Sequence, residues 1–193
     1  MNRWQTKHFV LSGILAAVTF AMAFVLGAGI IMTTGIPATG GIANIFAAVL
    51  LIIIGVKIVP KFGFGILTLI LVFTFAIPTV IGGPPGLFKV VVGFLIGLTL
   101  DSVLILGRRT RAAHIVGGGL GSVVSIVSIY IALLLLKLPG ADALGKLVAP
   151  LAAMQAVIGA IAAWVGLLIF EKRLSKLSAV KRLMSSSDDS PSE

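Results

Sequence analysis

Apolar residues in this chain fall in unbroken runs of about twenty, the length one helix needs to cross the hydrocarbon core of a bilayer. The first run covers about residues 8–31 and is interrupted only by small or hydroxyl side chains. Five more follow, at about 42–59, 62–81, 87–107, 112–136 and 147–170. Such contiguity argues against a membrane β-barrel, whose strands alternate apolar and polar residues. The first run is too long for a signal-peptide core and no small-residue cleavage pattern follows it, so it reads as a true span. With 59% of residues hydrophobic and 11% charged, the chain has too little polar surface to coat a water-soluble globule. The expected fold is therefore an all-α integral membrane bundle of six transmembrane helices within residues 1–176. Residues 185–193 are polar and lack apolar anchors, and the stretch 177–193 is expected to be a disordered cytoplasmic tail.

The connections set the orientation. Pro37 with Gly35, Gly40 and Gly41 argues against a continuous helix over residues 32–41. Residues 82–86 read as a compact Gly/Pro loop, and Pro78 should kink or end the third span. With the N-terminus in the cytoplasm, Arg3, Lys7, Lys57, Lys61, Arg108, Arg109, Arg111, Lys172, Arg173, Lys176, Lys181 and Arg182 all lie inside. Only Lys89, Lys137 and Lys146 lie outside or near the outer face. Twelve basic residues against three satisfies the positive-inside rule and places both termini in the cytoplasm. The net charge of +9 is thereby accounted for without nucleic acid, and the stretch from Lys172 to Arg182 adds an attraction to anionic lipid. The expected location is a cell membrane, crossed several times.

Catalytic chemistry is scarcely represented. The chain has two histidines, His8 and His114, and no cysteine, so disulfides and thiolate sites are excluded. No acidic or histidine pair has metal-ligand spacing and no nucleophile triad can be assembled, so neither an enzyme nor a cofactor or metal is expected. Residues 140–147 approach a P-loop but end Lys146-Leu147, where a Ser or Thr should hold magnesium, and no strand precedes them.

Small residues and membrane-depth polar residues are more informative. Gly13, Ala17 and Ala21 recur every four residues in the first span, as do Gly93 and Gly97 in the fourth. Such spacing lets helices approach closely, either within the bundle or, for the longer face of the first span, against another subunit. Asn44, Thr79, Lys89, Tyr130 and Gln155 all fall in the outer half of their spans. Amides, a hydroxyl and a cation at similar depth are costly unless they satisfy one another or a ligand. Thr34 and Thr39, in the stretch above them, are candidates to close the pocket. No carboxylate occurs at this depth, so an anionic ligand held by Lys89 is expected rather than a metal or a cation. Asp101 lies on the inner side, where an ion pair with Lys57 or the arginines at 108–111 is expected.

Taken together, the chain resembles the substrate-binding (S) component of energy-coupling factor vitamin transporters. The resemblance covers roughly residues 5–175: the size, six spans with both ends inside, a basic N-terminus followed by Ala17-x-x-x-Ala21, the Gly/Pro stretch after the first span, and the run Gly93 to Asp101. It implies that the helix-one alanines dock on a membrane-embedded T component and that two cytoplasmic ATPases power transport. It also implies that a vitamin or related micronutrient binds in the outer half, beneath the first connection. Members specific for cobalt or nickel resemble one another in an N-terminal Met-His, whereas this chain begins Met1-Asn2. Biotin-like, pantothenate-like and pyrimidine-like ligands all remain open. A structural or channel-like subunit of another membrane complex, or a secondary transporter, is the alternative.

Overall fold

A computed structural model describes residues 4–34, 37–80, 83–138, 141–178 and 180–181; at 31, 34 and 37–42 it describes the backbone alone. The chain forms α1 (Thr6–Thr34), α2 (Pro37–Ile58), α3 (Phe64–Phe75), α4 (Phe88–Leu106), α5 (Arg111–Leu135) and α6 (Ala141–Lys172), then a short 3-10 turn at Leu174–Lys176. Their neighbours define a closed ring: α1 packs on α2, α2 on α6, α6 on α5, α5 on α4, α4 on α3, and α3 back on α1. It is an all-α bundle with several long apolar helices, as a multi-pass membrane protein requires.

Three expectations need correction. First, among the described residues four helices rather than six are long and apolar enough to cross a membrane: α1, α4, α5 and α6. The described apolar stretches Ala43–Ile58 and Phe64–Phe75 fall short of that length. At 1.5 Å per residue, α3 is about 18 Å long, against roughly 30 Å of hydrocarbon. Its early end has a local cause. The residue before a proline is driven out of the helical region, so Pro78 removes Ile77 from the helix, and the last turn closes through Ile77 N–H to Thr74 O at 3.2 Å. Second, the helices reach further into 32–41 than the expected spans: α1 continues to Thr34 and α2 starts at Pro37, with residues 35 and 36 outside the described residues. A proline in the first turn lacks only an N–H that has no intrahelical partner there, and its fixed φ suits a helix start. Third, α6 begins at Ala141 and carries Pro150 inside it, six residues ahead of the expected span at 147. Packed structure also reaches past residue 176: Val180 is buried against Ile54 and Phe170.

How α3 survives at this length is visible on α4. Lys89 and Asp101 lie twelve residues apart on α4, about 18 Å along its axis, which is the length of α3. At one end the Lys89 ammonium donates to the carbonyls of Ala76 (2.9 Å) and Thr79 (2.6 Å). At the other, Asp101 Oδ2 accepts from the backbone N–H of Gly63 (2.9 Å) and Ile66 (3.2 Å). The antiparallel neighbour thus places a cation at the negative end of α3 and an anion at its positive end. Asp101 takes these amides as its hydrogen-bond partners; Arg109 of the expected cluster also acts on it electrostatically, whereas Lys57 does not pair with it. Gly63, at φ +89°, makes the left-handed turn that brings its N–H to the carboxylate. A further link to α1 is the hydrogen bond of Ser12 Oγ to Thr68 Oγ1 (2.8 Å); Thr68 donates its own proton to Phe64 O (2.8 Å).

Glycine seams draw the other helices together. A Cβ on Gly97 would sit 2.5 Å from Ile66 Cα, and one on Gly93 would sit 2.7 Å from Leu69 O, so this pair packs α4 onto α3. On α5, a Cβ at Gly118 would meet Gly159 O at 2.8 Å and Ala163 Cβ at 2.7 Å, so the triple glycine is a packing patch, Gly118 and Gly119 against α6 and Gly117 against α4. Gly13 differs, with nothing within 4 Å of the position a Cβ would take. Gly97→Val is therefore expected to cost about 3 kcal/mol or more through overpacking against backbone. Gly13→Ala should be neutral, or stabilising by about 1 kcal/mol from helix propensity. Thermal unfolding of the two variants in lipid nanodiscs checks this contrast.

Candidate functional site

The ring of helices encloses a cavity of about 550 Å³, in the range of small-molecule binding sites. Every helix contributes to its wall: Phe20, Phe24 and Gly27 from α1, Asn44, Ala48 and Ile52 from α2, and Leu69, Val72 and Phe73 from α3. Ile96 and Leu100 come from α4, Ser122, Ser125 and Ile129 from α5, and Leu151, Met154 and Gln155 from α6. Most of these positions lie in the later halves of α1, α3 and α5 and the earlier halves of α2 and α6, while α4 contributes from its middle. The cavity is thus displaced toward the end of the bundle away from the N-terminus, the basic turns and the end of α6.

Two of the seven sequence candidates meet in this wall. Asn44 and Gln155 approach it from α2 and α6, and in each the side-chain oxygen is buried without a hydrogen-bond partner. Gln155 is 9% exposed. The Asn44 amide lies against Gly27 of α1; a Cβ on Gly27 would be 2.9 Å from its Nδ2, so the absent side chain is what makes room for the amide. An unpaired buried amide oxygen costs about 1–3 kcal/mol, a cost that a donor entering the cavity would remove.

The others lie elsewhere. Lys89 is fully buried but is not in the described wall; its ammonium is committed to the end of α3. Thr79 gives its hydroxyl proton to Ala76 O at 2.9 Å. Tyr130 packs against α6, its Oη 2.9 Å from where a Gly145 Cβ would sit. The side chains of Thr34 and Thr39 lie outside the described residues. Lys89→Met should consequently lower stability by about 2–4 kcal/mol, since two carbonyls lose a charged donor. It should leave affinity for a cavity ligand within about a factor of two, as read from paired melting and binding measurements.

Sequence reasoning missed Ser122, Ser125 and the aromatic residues Phe20, Phe24 and Phe73. Ser122 donates back to Gly118 O at 2.8 Å, an ordinary habit of helical serine that gives no signal in the sequence. The phenylalanines are indistinguishable from lipid-facing residues until the ring closes.

On the outside, α1 turns His8, Ser12, Ala16, Thr19 and Ala23 into the bundle. Ala17 and Ala21 are exposed on the opposite side, among exposed Ile14, Val18, Met22 and Val25. Among the described residues no three His, Asp or Glu side chains come together as a metal would need. His114 hydrogen-bonds through Nδ1 to Thr110 O at 2.7 Å, within the cap of α5 that Thr110 completes by accepting from Ala113 N–H. Glu171 at the end of α6 pairs with Arg111 through both carboxylate oxygens, tying α6 to the start of α5. Comparison with protein-family models, with curated proteins and with solved structures finds no match.

Proposed function

We propose that this chain is the substrate-capture (S) subunit of an energy-coupling factor importer for a vitamin or related micronutrient. It carries no catalytic site of its own, and ATP hydrolysis comes from two separate cytoplasmic subunits through a membrane-embedded T component. The observation that carries the reading is the cavity walled by all six helices, with two amide oxygens left unpartnered in it. A small helical subunit without a ligand would fill such a space or pair those groups.

Two further features support it. Basic residues gather at the N-terminus, at the α2–α3 and α4–α5 connections and beyond α6, a bias that supports a cytoplasmic position for that end and, with it, a cavity in the outer half of a plasma membrane. In this reading α2 and α3, the ring members on either side of α1, also cross, giving six passages. The Gly13, Ala17 and Ala21 face of α1, exposed at Ala17 and Ala21, is the docking surface for the T component, since small side chains let a partner helix come close.

The test is assembly. Affinity purification of the tagged chain from its native membranes should recover a second membrane protein together with two ATPases. Ala17→Leu or Ala21→Leu should lose at least nine-tenths of that recovery while melting as wild type does. Recovery unchanged in both variants would remove the docking surface, and recovery of no ATPase from wild type would remove the importer reading.

A further inference from the structure

We propose that the cavity selects an uncharged, largely apolar molecule that presents hydrogen-bond donors to Asn44 and Gln155. This rests on reading the cavity as the capture site, and it reverses the anionic ligand expected from the sequence. Among the described residues no Asp, Glu, Lys, Arg or His lines the wall. A carboxylate, phosphate or ammonium placed there would be desolvated without a counter-charge, which is far more costly than the desolvation of a neutral group. The cation nearest in sequence logic, Lys89, has its ammonium held by the carbonyls of Ala76 and Thr79.

The polar groups in the wall are few and unequal. The Ser122 hydroxyl proton goes to Gly118 O. Asn44 Oδ1 and Gln155 Oε1 are acceptors with nothing to accept. They project from α2 and α6, neighbours in the ring, so one ligand with two N–H or O–H groups can meet both. The rest of the surface is aliphatic and aromatic, with Phe20, Phe24 and Phe73 available to a ring. An apolar ring system with amide-, ureide- or alcohol-type donors satisfies every part of this wall; an ion satisfies none.

The assignment is tested with matched pairs differing in charge: riboflavin and its 5′-phosphate, biotin amide and biotin, nicotinamide and nicotinate. Each is titrated into the full chain in nanodiscs of zwitterionic lipid, with calorimetry as the readout. At least one neutral member should bind, and its ionised partner should bind a hundredfold or more weakly. Gln155→Met and Asn44→Leu, which keep volume and remove the amide, should each weaken that neutral ligand roughly two- to tenfold. An ionised member binding as well as its neutral partner would overturn the ligand class and leave capture in the cavity standing. Unchanged affinity in both amide variants would overturn the donor contacts. Silence of all six probes would overturn the assignment together with the capture reading. Assembly with ATPases is read separately and does not move with these outcomes.

Discussion

Asp101→Leu is expected to destabilise the bundle by roughly 3–5 kcal/mol, the largest single-residue effect in this chain. The carboxylate is 1% exposed and accepts from the backbone N–H groups of Gly63 and Ile66. Leucine keeps the branching at Cγ but leaves both amides buried without an acceptor, at the positive end of a helix only twelve residues long. Asp101→Asn keeps a carbonyl oxygen and should lose about half as much. The effect should be local at first. Hydrogen exchange at the start of α3 should rise in Asp101→Asn, while α5 and α6 keep wild-type protection. Equal protection at α3 in the variant and wild type would mean that the cap contributes nothing.

The second large effect is on binding. Ala48 and Ser125 line the cavity from α2 and α5, and both are small. Replacing them together by phenylalanine places two rings in the space a ligand needs, and should reduce affinity by more than a hundredfold. Stability should hold or rise, because the added carbon fills an existing void rather than displacing packed atoms. A folded Ala48→Phe, Ser125→Phe protein that binds as wild type would place the ligand outside the cavity.

Much of this architecture was legible in the residues, and the parts that were not have physical reasons. Contiguous apolar runs located all six helices, because these helices are apolar on their outward faces as well as on those packed in the bundle. Four-residue glycine spacing located the α3–α4 seam, because only a missing Cβ permits backbones within van der Waals reach. Spacing alone does not say which side of a helix faces inward. Gly13, Ala17 and Ala21 share the Gly93–Gly97 pattern yet lie on the exposed side of α1. Asn44 and Gln155 were legible as costly polar groups at matching depth. Lys89 carried the same signal and proved to belong to the end of α3. A buried ion announces that it needs a partner, but the identity of the partner depends on where a neighbouring helix stops. The α3 helix stops at Phe75, a consequence of Pro78 that the sequence allowed without fixing how early. The same reasoning explains the helical backbone at Pro37: proline punctuates a helix interior but suits its first turn.

The central claim is that this bundle holds a small molecule inside its ring of helices. It is tested most directly by purifying the chain from its native membranes, denaturing it, and identifying by mass spectrometry what is released. The account predicts one small uncharged compound at close to one per chain from wild type, and its absence from the folded Ala48→Phe, Ser125→Phe variant. Release of the same compound in the same amount from both proteins, or of lipid alone from wild type, would contradict it.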